Sequence, residues 1–154
     1  MKLKTKNTSN FARVSEIQLS RGKINTPAFM PVGTNATVKG LTVEDLNETG
    51  SEIILGNTFH LMLRPGDKLI KNLGGLHKFI NWEKPILTDS GGFQVWSLGD
   101  LAEISEDGVK FSSPYDGKKI FMRPEDSIMI QENLGSDIIM AVSYTHLTLP
   151  TMIR

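Results

Sequence analysis

A chain of 154 residues is long enough to form one domain with a real core. With 39% hydrophobic and 22% charged residues, and 17 Lys plus Arg against 17 Asp plus Glu, its composition is globular and carries no global field suited to a polyanionic partner. The lack of cysteine excludes a disulfide framework and any thiolate zinc site within these residues, and no apolar run reaches membrane-span length. No secretory signal follows Met1, and a cytoplasmic location is expected.

The first 24 residues lean basic (Lys2, Lys4, Lys6, Arg13, Arg21 and Lys23 against Glu16), and a solvated, frayed terminus is the favoured account. Phe11 to Leu19, the turn Ser20-Arg21-Gly22-Lys23 and Ile24 then read as a β-hairpin. Pro27 to Gly33 is an apolar run that suits a buried strand better than a helix, because Pro27 and Pro31 interrupt it. Thr42, three residues before Asp45, caps a short helix that Gly50 stops, and Glu52 to Leu55 is a short strand. Pro65 opens a helix with Leu69, Ile70 and Leu73 on its apolar side, ended by Gly74-Gly75.

Pro85 to Thr88 is the next strand, and Asp89-Ser90-Gly91-Gly92 is the loop at its C-terminal end. Glu106-Asp107-Gly108 and Asp116-Gly117 sit between short alternating segments, as two-residue hairpin turns require. Pro124, Glu125 and Asp126 begin a helix that runs through Ile128, Met129 and Leu134 to Gly135, followed by a buried strand over 137–141. Gly50 to Leu55 and Gly135 to Met140 echo one another as a helix stop followed by a buried strand. Repeated strand–helix units with apolar strands imply a parallel sheet covered by helices. A barrel of eight such units takes about 250 residues, so only its first half would fit; an open α/β sheet suits the same pattern.

In parallel α/β folds, chemistry gathers in the loops after strand C-terminal ends. Two such loops, Gly56 to His60 and Asp89 to Gln94, hold unusual residues for connectors. In the second, the glycines let backbone N–H groups approach a flat ligand, Phe93 can stack on a base, and Asp89 can take or give a proton. Asp89 and Ser90 equally suit an ordinary Asx-type turn, and local chemistry by itself favours that account. Asn57 and Thr58 suit a loop, and His60 reads as a hydrogen-bonded core or loop histidine rather than a metal ligand. Met30, Met62, Met122, Met129 and Met140 read as core filler. For Lys118, Lys119 and Arg123, a solvated hairpin face outweighs a phosphate contact.

Four blocks nevertheless occur in order: Thr26 to Thr34, Gly56 to Gly66, Leu87 to Val95 and Phe111 to Gly117. Together they resemble the successive signature blocks of the tRNA-guanine transglycosylases, also called queuine tRNA-ribosyltransferases, over about Phe11 to Ala141. The resemblance reverses the balance on Asp89. It implies the first part of a (β/α)8 TIM barrel, preceded by the N-terminal β-hairpin and truncated, with residues 1–141 as the barrel segment. It implies a pentosyltransferase that exchanges guanine at the tRNA wobble position for a 7-deazaguanine, preQ1 in bacterial members, towards queuosine.

On that resemblance Asp89 matches the proton-handling aspartate, Ser90, Gly91, Gly92 and Phe93 match the base-pocket wall, and Asn57 joins the candidate substrate-binding residues. Zinc, tRNA, the exchanged bases and a homodimer belong to the full-length family. The nucleophilic aspartate and the zinc ligands would fall beyond Arg154, and the base-recognising aspartate would fall at Ser143. Residues 142–154 do not follow the family and are expected to be a sequencing or cloning artefact, and the 154 residues alone are expected to turn over little substrate. The alternative reading is a non-catalytic tRNA-binding module or partner subunit on the same barrel.

Overall fold

The computed structural model describes residues 1–98 and 102–141, so the expectations for 142–154, Ser143 among them, fall outside the described residues. The chain begins with a three-stranded antiparallel sheet: β1 (Lys2–Ser9), β2 (Ala12–Leu19) and β3 (Gly22–Thr26). The expected frayed terminus is therefore a strand. All of β1 is exposed, so it is held by its ladder with β2, from Lys2↔Gln18 to Ser9↔Ala12, rather than by a buried face. The basic lean is partly neutralised, because Lys6 and Lys23 reach Glu16 at 2.7 and 3.6 Å. The Lys6 ammonium, hydrogen-bonded to Glu16, holds that carboxyl below its ordinary value.

After β3 the expected buried strand shrinks to β4 (Val32–Gly33), and Phe29 is 84% exposed. Pro27 and Pro31 have no N–H to give a ladder, and of this run Pro31 contributes its carbonyl to Leu55 N. Helix α1 (Val43–Glu48) carries the expected box: Asp45 N donates to Thr42 Oγ1 (3.1 Å) and Thr42 N to Asp45 Oδ2 (2.8 Å). β5 (Ile54–Gly56) follows, then three short helices, α2 (Thr58–Leu63), α3 (Asp67–Asn72) and α4 (Leu76–Ile80). Pro65 lies before α3 rather than in it, Gly66 being the N-cap, and Leu69 and Leu73 face outward while Ile70 is buried.

β6 (Ile86–Thr88) leads into α5 (Gly92–Trp96) and a second antiparallel sheet of β7 (Ala102–Ser105), β8 (Gly108–Ser112) and β9 (Lys119–Met122). Its first turn is Glu106-Asp107 with Gly108 already in β8, whereas the second is a longer loop closed by Ser113 N to Lys118 O (2.8 Å). Lys118 and Lys119 are exposed, and Arg123 is tied to Asp126 by its Nε at 3.1 Å. Helix α6 (Pro124–Leu134) ends at Gly135, and the buried strand expected over 137–141 shortens to β10 (Ile138–Ile139), an edge strand of the described sheet with Ile138 half-buried and Ile139 37% exposed. The inward face of α6 is Ser127, Ile130, Gln131 and Leu134, spaced three and four apart, so the expected core residue Met129 is exposed instead.

The parallel sheet has the order β10-β6-β5-β4, so each strand lies beside its predecessor in the same winding direction. The fold class is α/β with a parallel sheet. One core, centred on Leu46, Ile54, Leu61, Ile70, Leu76, Trp82, Ile86 and Leu134, joins the sheet to its helices. Each such side chain contributes roughly 1.5–3 kcal/mol on burial. A second cluster, Leu19, Ile24, Ile53 and Leu87, seats the N-terminal sheet, and Phe59, Val95, Phe111 and Met122 seat the β7–β9 sheet. Met122 is thus core, and Met30, Met62 and Met140 pack against the clusters.

At the N-terminal end of the parallel strands, Asp137 ties four segments together. Its carboxylate takes Arg21 Nε (3.2 Å), His77 Nε2 (2.9 Å) and Ile86 N (2.9 Å). Burial pushes the His77 imidazole below its ordinary 6.5, and Asp137 pulls it back only in part. With the folded value depressed, the unfolded chain binds the proton more readily, so this stability is present above pH 6.5 and is lost as pH falls towards the folded value. Urea midpoints of the wild type are expected to fall more steeply between pH 7.5 and 5.5 than those of His77→Gln, which has no such proton to bind.

Candidate active site

The other end of the sheet carries the candidate site. Gly56, last in β5, pairs with Thr88, last in β6, so the residues that follow each strand emerge side by side. Asn57 and Asp89 therefore meet, although 32 positions separate them. The expected loop at Gly56 to His60 is in fact the first turn of α2, with Asn57 as its N-cap. Asn57 does not bond the helix end; its Nδ2 donates to Asp89 Oδ2 at 2.5 Å.

Asp89 is buried, and its carboxylate accepts four hydrogen bonds from the described residues. Oδ1 takes Thr58 N (2.9 Å) and Gly91 N (3.1 Å), while Oδ2 takes Asn57 Nδ2 and Gln94 Nε2 (3.2 Å). The Asp89 carbonyl also accepts Thr58 Oγ1 at 2.5 Å. The Gly91 bond is the expected Asx-type turn, and Gly92 N to Ser90 Oγ (3.3 Å) is its serine counterpart. That turn accounts for one of the four donors to the carboxylate; the other three come from α2, its cap and α5. The carboxylate is thereby fixed in orientation at a strand tip.

Gly91 takes φ 75° as the N-cap of α5, where a Cβ would stand 3.3 Å from Phe59 N. Its glycine is required by both the backbone angle and the close approach. Phe93, the candidate stacking ring, is 39% exposed on the first turn of α5. Ser90 is buried, and its carbonyl accepts Ser127 Oγ at 2.7 Å. Asn57, Asp89, Ser90, Gly91, Gly92 and Phe93 are thus gathered at one end of β5 and β6. His60 departs from expectation: its ring packs edge-on against Phe59, and its buried Nδ1 has no partner among the described residues.

Sequence reasoning missed Gln94 and the buried pair Ser127 and Gln131 on α6. A signal for the pair existed, since two polar residues stand on the buried face that Ile130 and Leu134 define. Among the described residues no group of three or more His, Cys, Asp or Glu converges to hold a metal. No helix there is long and apolar enough to cross a membrane.

Residues 7–150 match the family model for queuine tRNA-ribosyltransferase. Proteins of that name from Pseudoalteromonas atlantica, Saccharophagus degradans and Shewanella piezotolerans are 59%, 58% and 56% identical over 140 residues. Each alignment covers 91% of this chain but 37–38% of the relative, so the chain spans well under half the length of the curated relatives it matches. The ordered blocks, the strand-tip aspartate and these matches agree, and the chain belongs to the queuine tRNA-ribosyltransferase family.

Proposed function

We propose that the whole protein is a pentosyltransferase that replaces guanine at the tRNA wobble position with the 7-deazaguanine preQ1, towards queuosine. The observation that carries this reading is the buried Asp89 carboxylate, fixed at the tip of β6 and followed, four residues on in the first turn of α5, by the part-exposed Phe93. As the glycosidic bond breaks, the departing guanine takes up a proton; as the new bond forms, the incoming base gives one up. One carboxyl group at the base edge serves both transfers. Ser90, Gly91 and Gly92 would form the pocket wall, Phe93 would stack on the base, and Asn57 would hold Asp89 in place.

The exchange is two displacements through a covalent ribosyl-enzyme, the usual route when one carboxylate attacks and another group manages protons. The reading assigns that attacking carboxylate to none of residues 1–141. The single winding direction of β4, β5, β6 and β10 supports the barrel, because the opening strands of a barrel are laid down in chain order. Zinc does not fit the described residues, which converge on no metal-ligand group, and no step here depends on it. A cytoplasmic homodimer is carried by the family resemblance alone.

Labelled guanine supplied with a tRNA bearing guanine at the wobble position tests the proposal. The whole protein is expected to incorporate the label, and preQ1 to chase it out. A protein that binds the tRNA without exchanging label would instead be the non-catalytic relative.

A further inference from the structure

Gln131 is the most completely engaged side chain behind the site. It is 0% exposed, and its amide uses both acceptor positions and both donor positions. Oε1 accepts Thr88 Oγ1 (2.8 Å) and Met140 N (3.0 Å); Nε2 donates to Met140 O (3.1 Å) and Ser127 Oγ (3.3 Å). Ser127 passes the connection on, its hydroxyl donating to Ser90 O at 2.7 Å. Because the Thr88 hydroxyl proton goes to Gln131, the 2.7 Å contact between Thr88 Oγ1 and Ser136 Oγ has Ser136 as donor.

The strand ladder explains what this amide does. β10 pairs with β6 through Ile139↔Thr88 and stops there. At the next residue, the Met140 N–H is shared between the Thr88 carbonyl (3.2 Å) and Gln131 Oε1 (3.0 Å), while Gln131 Nε2 donates to the Met140 carbonyl (3.1 Å). Gln131 thereby holds the end of β10 against Thr88, the residue before Asp89, and through Ser127 it holds the carbonyl of Ser90. Two neighbouring strand tips, joined by the Met140 N to Thr88 O bond, are both held from α6 by this one side chain.

We propose that Gln131 is a positioning residue for base exchange, fixing the Asp89–Ser90 loop relative to the end of β10 so that the base pocket keeps its shape. This rests on the base-exchange reading. Gln131 lies behind the loop on α6 and acts through Thr88, Ser127 and Met140. A displacement of about 1 Å at a reacting centre can cost on the order of 10²-fold in rate.

The test is steady-state base exchange by the whole protein with Gln131→Met and Gln131→Glu, alongside their melting temperatures. For the folded Met variant, kcat/KM for guanine is expected to fall roughly 10- to 100-fold, with KM for guanine raised and KM for tRNA unchanged. The Glu variant can replace one donor only when protonated, so its activity relative to wild type is expected to rise from pH 8 to pH 6. That comparison holds even if the Met variant fails to fold.

If both guanine parameters stay within twofold of wild type in a folded Met variant, the inference is wrong. It is equally wrong if only the melting temperature and the active fraction fall, or if the Glu variant shows no pH dependence beyond that of wild type. A wild-type protein without base exchange would overturn the functional reading and this inference with it; exchange by wild type with an unaffected Gln131 variant would overturn this inference alone.

Discussion

Replacing Asp89 by Asn is expected to lower base exchange by about 10²–10⁴-fold in the whole protein while tRNA binding persists. Two effects combine. The amide cannot pass a proton at the base edge. It also misfits its cage, since among the described residues every hydrogen bond to the carboxylate comes from an N–H: Thr58 and Gly91 on one oxygen, Asn57 and Gln94 on the other. Whichever way the amide turns, its NH₂ meets two donors, and each buried donor left unpaired costs about 1–3 kcal/mol. A melting temperature and a tRNA-binding isotherm, measured with label incorporation, separate the two effects. Full exchange by a folded Asp89→Asn protein would remove Asp89 from the chemistry.

A second large effect is expected at Gly91. Gly91→Val places a β-branched residue at φ 75° with its Cβ 3.3 Å from Phe59 N, a backbone atom that cannot rotate away. The strain is about 1–3 kcal/mol, and relieving it shifts the N–H that holds Asp89 Oδ1. Exchange is expected to fall by about 10²-fold as the carboxylate moves. Gly117→Val is the matching control, because Gly117 has φ 70° and nothing within 4 Å of its Cβ position. That control should lose comparable stability and retain exchange. Equal activity loss in both variants would mean that general destabilisation, not loop geometry, is being read.

The local rules succeeded where a signal lies within a few residues. The Thr42–Asp45 box, the αL glycines Gly50 and Gly135, and the apolar strands at Ile54 and Ile86 follow from capping chemistry, backbone freedom and pattern. They failed where a neighbour distant in sequence decides. β1 buries nothing and exists because β2 offers a ladder. α2, α4 and α5 span five or six residues, too short for a 3.6-residue period to show, and are stabilised by burying Phe59, Leu61, Leu76 and Val95. The run from Pro27 to Pro31 is apolar but lacks the donors to join a sheet along its length.

For the site, the sequence by itself determined which residues were available: an aspartate leaving a strand, two glycines and an aromatic ring, in ordered blocks that resemble a family. Read locally, that aspartate was an ordinary turn residue, and the turn is indeed there. Only the tertiary structure decided that Asn57 turns away from its own helix to Asp89, and that Gln131 reaches from α6 to the ends of β6 and β10. The reason is geometric. Parallel pairing of Gly56 with Thr88 brings together positions far apart in the chain, and no short-range pattern records a contact made across two strand ends.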